Sequence, residues 1–185
     1  KLHLWDLTMS KKVRFAVVGL GHIAQNAVLP AFKHSKENCE LTGFVSGDSE
    51  KTAQLGSEYG VGRSWHYDDY EDALASKAFD AVYIALPDDM HAEYAVKAAN
   101  HGIHVLCEKP MATRVDECQA MIDAAKRNNI KLMIAYRLHF ERTNMEALEQ
   151  IRQGKIGNPR FFNASFGQQI RAGNIRTKEE HSGGP

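Results

Sequence analysis

The stretch VRFAVVGLGHIA, residues 13–24, decides the fold. A mostly apolar run, Val13–Val18, leads into Gly19, and Gly19-Leu20-Gly21-His22-Ile23-Ala24 follows. From there Ile23, Ala24, Ala27, Val28, Ala31 and Phe32 recur at spacings of three and four. A buried strand, a glycine turn and an amphipathic helix therefore follow one another directly. The turn carries G-x-G-x-x-A in the strand–turn–helix setting that suits the pyrophosphate of a dinucleotide. Gly19 permits the tight turn, Gly21 lets a pyrophosphate approach the backbone, and Ala24 allows close helix–sheet packing. The helix start, with Leu20, His22 and Ile23, offers backbone N–H groups and a partial positive charge.

The pattern repeats outward from this stretch. Residues 41–46 read as a second strand and 52–59 as a helix. Residues 81–86 (AVYIAL) are apolar at every position, as a strand covered on both faces must be. A helix over 89–100, a strand over 103–107, a helix marked by Val115, Cys118, Met121, Ile122 and Ala125, and a strand over 130–135 follow. Between them, 61–79 suggests a short strand near Val61 and a short helix at 70–75. Strand alternating with helix predicts an α/β fold, a doubly wound parallel sheet of Rossmann type over residues 12–136. Beyond it, 140–153 reads as a helix ended by Gly154, and Phe162, Ala164 and Phe166 alternate with polar residues over 159–168. That period of two signals an antiparallel sheet with one solvated face. A second domain, the start of an α+β unit, is expected over 137–185, and residues 1–11 read as a tail outside the fold.

Composition narrows the classes. Lys plus Arg and Asp plus Glu number 23 each, so a chain of 185 residues has no net charge and lacks the basic footprint of a nucleic-acid binder. The longest apolar run falls far short of the ~20 residues that cross a bilayer. Three cysteines, Cys39, Cys107 and Cys118, with no C-x-x-C pair, argue against a disulfide framework and a zinc ribbon. They fit a reducing compartment, the cytoplasm, with the periplasm as the expectation if an export signal has been removed upstream. His101, His104 and Cys107 are spaced by threes, but on one strand His104 and Cys107 face opposite sides, so no metal site is expected.

Other motifs fall where strands end. The tip of the second strand selects between NAD and NADP, because an acid there accepts from the ribose 2′-hydroxyl. Here Ser46-Gly47-Asp48-Ser49-Glu50-Lys51 puts a serine at the tip, and Ser46 with Lys51 suits a 2′-phosphate; Asp48 is the contrary sign. NADP is expected in preference to NAD. Glu108-Lys109-Pro110 ends another strand. Lys109 there can stabilise developing charge on a substrate oxygen, Glu108 can orient it, and Pro110 is a candidate for a cis bond. Surface ion pairing in an ordinary turn is the plain alternative. Leu86 and Pro87 lead to His91, which reads as a ribose contact or a helix cap, capping being the expected role. Arg137 suits a cofactor or substrate contact, or an interdomain ion pair.

Together GLGHIA at 19–24, Leu-Pro-x-x-x-His at 86–91, CEKPMA at 107–112 and AYRLHFE at 135–141 resemble the glucose–fructose oxidoreductase / inositol dehydrogenase family, in its order and spacing. VSGDSEK at 45–51, DAVYIALP at 80–87, HAEYAVKAA at 91–99 and MIDAAK at 121–126 look most similar to its glucose–fructose oxidoreductase branch. The resemblance implies an NADP-dependent oxidoreductase of sugars or polyols, with Lys109 as the catalytic lysine. It places Glu108 and Arg137 at the cofactor pocket and Tyr67 on the adenine side. It also implies a homo-oligomer assembled through the second domain's sheet. Members continue past a Gly-rich stretch into an Asp-x-x-x-His or Asp-x-x-x-Tyr motif that supplies the acid–base residue, whereas this sequence stops at Ser182-Gly183-Gly184-Pro185. An N-terminal fragment that binds cofactor without turnover is therefore expected. The alternatives are a non-catalytic NADP-sensing regulator and an interaction module on the same scaffold.

Overall fold

The computed structural model describes residues 12–165 and Gly167. Six strands, β1 (Val13–Val18), β2 (Cys39–Val45), β3 (Ser64–Trp65), β4 (Ala81–Ile84), β5 (His104–Cys107) and β6 (Leu132–Ile134), form one sheet in the order β3-β2-β1-β4-β5-β6. Every pairing is parallel. The order reverses between β1 and β4, and an open α/β sheet holds its ligand in the crevice beyond such a reversal.

Helices α1 (Leu29–His34), α2 (Ser49–Tyr59), α3 (Tyr70–Ala75), α4 (His91–Asn100), α5 (Val115–Arg127) and α6 (Arg142–Arg152) are accompanied by short 3-10 or π-helical turns at Ala24–Val28, Tyr67–Asp69, Asp88–Met90 and Arg137–Phe140. Two apolar clusters lie on the two faces of the sheet. One gathers Val17, Phe44, Val28, Leu29 and Leu55 beneath α1 and α2. The other gathers Val82, Ile84, Val105, Tyr70, Ala95, Ala98 and Met121 beneath α3, α4 and α5. Burial on both faces explains the unbroken apolar run at the fourth strand.

Local departures from the sequence reading have physical causes. The helix predicted from Ile23 to Phe32 begins with a π-helical turn, Ala24–Val28, before α1. Pro30 at the start of α1 has no N–H to donate, so a regular ladder cannot run through it. The fourth strand ends at Ile84, two residues short of the predicted run, with Ala85 N–H donating one last bond to Val18 O of β1 (2.8 Å). The short strand expected near Val61 is Ser64–Trp65, which pairs with Phe44 and Val45. The Lys109–Pro110 bond is cis.

One expectation is not met. Residues 159–165 form no strand, and Phe161 and Phe162 are 85% and 87% exposed. Period-two alternation makes a strand only where a neighbour takes up its backbone groups, and among the described residues these two side chains are left exposed. Phe166, the tail 1–11 and the stretch 168–185 lie outside the described residues.

Candidate functional site

The strand order sets six loop starts in one row along the C-terminal edge of the sheet: His66 and Tyr67, Ser46, Gly19, Leu86, Glu108 and Arg137. At ordinary strand spacing the row is about 24 Å long. Backbone bonds stitch it together. Gly19 N–H donates to Val45 O (2.9 Å), Ser46 N–H to Trp65 O (3.0 Å), Glu108 N–H to Ile84 O (2.9 Å) and Ala135 N–H to Cys107 O (2.8 Å).

The glycine turn fits a closely approaching ligand. Gly19 has φ +92°, and a Cβ there would stand 2.6 Å from Ala85 O and 3.0 Å from a Leu86 methyl. Gly21 is exposed, and a Cβ on it would meet nothing within 4 Å, so the backbone lies open on that side. The first helical bond, Gln25 N–H to Gly21 O (3.1 Å), leaves the preceding amides without helical partners, as at any helix start. Leu20 is buried, Ile23 half-buried and His22 exposed beside the turn. Gln25 Nε2 donates to Leu20 O (2.7 Å) and pins the loop, a support the motif does not reveal.

At the β2 tip Ser46 is buried, and its Oγ accepts from Asp48 N–H (3.2 Å). Asp48 caps α2: Oδ1 accepts from Lys51 N–H (2.9 Å) and Oδ2 pairs with Lys51 Nζ (2.8 Å). These bonds to Lys51 hold the Asp48 carboxyl below its usual range. The ring of Tyr67 lies against Gly47, 3.2 Å from where a Cβ would stand. Burial raises the Tyr67 hydroxyl above its usual range, against the pull of a hydrogen bond with Ser46 and the charge of Lys51. His66 Nε2 lies 3.4 Å from the same Cβ position, beside Tyr67, and no motif pointed to it.

At the other end Glu108 Oε1 accepts from Tyr83 O–H (2.7 Å) and Oε2 from Lys109 N–H (3.2 Å). Burial, then the Glu108 bond, holds the Tyr83 hydroxyl far above its usual range, while the Arg137 charge pulls the other way. Tyr83 escaped the sequence reading because a uniformly apolar strand does not show which face a residue takes. Beneath it Cys107 is fully buried, and burial together with the charges of Glu108 and Asp88 pushes its thiol up to about 12. Lys109 and Arg137 are exposed. Among the described residues no acceptor holds the Lys109 ammonium.

His91 is completely buried, with Nδ1 2.8 Å from Pro110 O and Nε2 3.0 Å from Leu86 O. Both ring nitrogens meet backbone carbonyls, so His91 ties the Leu86-Pro87 loop to the Lys109-Pro110 turn and presents neither nitrogen to the crevice.

Two shallow cavities of about 480 and 470 Å³ lie away from this row, at the N-terminal ends of the strands. They are lined by residues such as Lys126 and Leu132, or Arg14 and Thr42, and by none of the candidate site residues. The candidate residues line instead an open groove of loop starts. Among the described residues no group of three or more His, Cys, Asp or Glu is placed to hold a metal ion, and no helix is long and apolar enough to cross a membrane.

Comparison with known proteins agrees with this geometry. Residues 13–136 match the model of the oxidoreductase family with an NAD-binding Rossmann fold, GFO_IDH_MocA. The D-xylose 1-dehydrogenase (NADP(+)) of Haloarcula marismortui is 35% identical over 159 residues, covering 85% of this chain and 44% of its own. The scyllo-inositol 2-dehydrogenase (NADP(+)) IolU of Bacillus subtilis is 36% identical over 156 residues, covering 84% and 46%. The crystal structure of aldose-aldose oxidoreductase from Caulobacter crescentus, complexed with glycerol, superposes with a TM-score of 0.75 at 37% identity, over 80% of this chain and 44% of that one. The chain thus spans under half the length of these relatives. With the glycine turn, the strand order and the family model in agreement, this chain belongs to the GFO_IDH_MocA oxidoreductase family.

Proposed function

We propose that this chain is the cofactor-binding part of an NADP-dependent oxidoreductase acting on a CH–OH group of a sugar or polyol. Residues 12–136 form the cofactor domain, and the chain from 137 onward begins the substrate domain. The observation that carries the reading is the single row of loop starts, with an open Gly21 backbone at its centre, Ser46 and Lys51 on one side and Glu108-Lys109 on the other. The NADP(+) in the names of both relatives quoted above supports the choice of cofactor.

Gly19, Leu20, Gly21, His22 and Ile23 hold the pyrophosphate with backbone N–H groups. Ser46, Gly47 and Lys51 receive the 2′-phosphate, with Tyr67 flanking the adenosine. Asp48 has both oxygens engaged with Lys51, which leaves it poorly disposed to accept from a ribose hydroxyl. Leu86 and Pro87 line the middle of the crevice, and His91 fixes their loop against the lysine turn. Glu108 and Arg137 border the far end. When bound, the nicotinamide supplies the hydride acceptor or donor. Lys109 donates to the substrate oxygen and stabilises charge as it develops there. Glu108 fixes the Lys109 backbone while Tyr83 holds Glu108. The proton-transfer partner and most of the sugar pocket are assigned to the half of the relatives that this chain does not span, so the 185-residue chain binds cofactor without turnover.

The test is NADP⁺ reduction by a chain extended to the relatives' length, across a panel of aldoses and inositols, with Lys109→Met alongside. The substitution should lower kcat/KM by about a hundredfold or more, as loss of an electrostatic stabiliser does, and leave NADP⁺ affinity nearly unchanged. Near-normal turnover in Lys109→Met would remove the lysine from the chemistry. Sustained sugar oxidation by the 185-residue chain would place the proton-transfer group within it.

A further inference from the structure

We infer that His66, the residue immediately beyond β3, donates a hydrogen bond to a 2′-phosphate on the adenosine ribose and is a specificity-determining residue for NADP; this rests on the cofactor reading above. The register places it there. Ser46 N–H donates to Trp65 O, so the residues after β2 and after β3 emerge side by side at the same edge.

The two ring nitrogens have different employment. Nδ1 accepts from Asp68 N–H (3.3 Å), capping the turn Tyr67–Asp69, and Asp68 Oδ2 lies 3.1 Å from the same atom. A neutral imidazole whose Nδ1 accepts carries its proton on Nε2, and a charged one carries a proton on both nitrogens. In either form that accepts the Asp68 amide or pairs with its carboxylate as a cation, Nε2 is a donor. That donor sits 3.4 Å from the Cβ position of Gly47, with the Tyr67 ring beside it. Glycine at 47 therefore keeps clear the space between the ring and the β2 tip, space that any side chain would enter.

Two other donors at this tip are already engaged. Lys51 Nζ is paired with Asp48 at 2.8 Å, and Asp48 N–H bonds the Ser46 hydroxyl. A phosphate arriving at Ser46 must compete with Asp48 for Lys51. His66 Nε2 faces no such competitor among the described residues, and its side chain is half exposed, so a ligand can reach it. His66 follows β3, whereas Lys51 stands in the first turn of α2, so the two donors reach the tip from different elements.

The experiment compares adenosine 2′,5′-bisphosphate with adenosine 5′-monophosphate, which differ only in the 2′-phosphate, by calorimetric titration of the 185-residue chain. Two variants separate the roles of the ring. His66→Asn keeps an acceptor near the Nδ1 position for the Asp68 amide and loses Nε2; His66→Gln reaches toward Nε2 and loses the short cap. The expected result is a roughly tenfold loss of bisphosphate affinity in His66→Asn, with monophosphate affinity unchanged, and most of the affinity retained in His66→Gln. Wild-type bisphosphate affinity in His66→Asn, or an equal loss for both nucleotides, would overturn the inference while leaving the cofactor reading intact. If the unsubstituted chain shows no preference for the bisphosphate, the NADP reading itself falls and takes this inference with it.

Discussion

The two halves of the crevice are built differently. On β1, β2 and β3 the groups proposed for recognition are packed into the fold or bonded to one another: Gly19 under Ala85, Ser46 to Asp48 and Tyr67, Tyr67 against Gly47, Asp48 to Lys51. On β4, β5 and β6 the base is equally firm, with Tyr83, Glu108 and the His91 clamp in place, but the cations Lys109 and Arg137 stand in solvent. The segment around Arg137 leaves Tyr136, Leu138 and Phe140 about half exposed or more. Recognition needs only fixed geometry, and the first half has it. Electrostatic stabilisation of a reacting oxygen is strongest where water is kept out, and the second half is open to water. The difference is why binding and turnover are assigned separately.

The largest expected effect tests whether the first half is shaped for a ligand or merely for folding. Gly19→Ala forces a side chain into a left-handed backbone and against Ala85 O, and should cost roughly 3 kcal/mol or more in urea unfolding. Gly21→Ala meets nothing within 4 Å, so its unfolding midpoint should stay put while NADP⁺ affinity drops by about tenfold or more. Loss of stability without loss of affinity in Gly21→Ala would make the turn a folding device.

Lys51→Ala comes next. The exposed pair with Asp48 contributes little to folding, but the variant should bind NADP⁺ roughly tenfold more weakly and NAD⁺ as before. An equal loss for both cofactors would place Lys51 outside the 2′-phosphate site.

The second half is probed from beneath. The Cys107 thiol, ordinarily near 9.0, is pushed up to about 12 by burial. Below pH 9 folded and unfolded chains both hold the proton, so the full stability is present. As pH rises from there toward 12 only the unfolded chain releases it, and stability should fall by about 1.4 kcal/mol per pH unit from this group. Cys107→Ala should flatten that slope in unfolding measurements at pH 9 to 10.5; an unchanged slope would mean the thiol is not shielded. The smallest effect is Tyr83→Phe, which removes the bond to Glu108 and should cost about 1 kcal/mol of stability. In an extended chain it should lower sugar turnover more than NADP⁺ affinity.

Much of this was legible in the sequence because it depends on neighbours along the chain. The glycine turn, the tip residues Ser46 and Lys51 and the turn at Glu108-Lys109-Pro110 are local motifs at strand ends, and alternation of strand and helix implies the parallel sheet. What stayed hidden depends on neighbours across the sheet. Tyr83 meets Glu108 because β4 and β5 pair with Tyr83 opposite Leu106. His66 meets Gly47 because β3 pairs with β2, and a strand of two residues gives no periodicity to read. His91 reads from the sequence as a helix cap, yet it caps nothing: it opens α4, and its two nitrogens meet carbonyls of separate loops. The expected strand at 159–168 shows the converse: alternation states what a segment can bury, and burial needs a partner.

Selection of a 2′-phosphorylated cofactor is what the proposed crevice must achieve. It is tested most directly by titrating the 185-residue chain with NADP⁺ and NAD⁺ under one set of conditions in a calorimeter. The account predicts stoichiometric binding of NADP⁺ at least about tenfold tighter than NAD⁺, the difference that one charge-assisted bond supplies. Equal affinities, or tighter binding of NAD⁺, would contradict it.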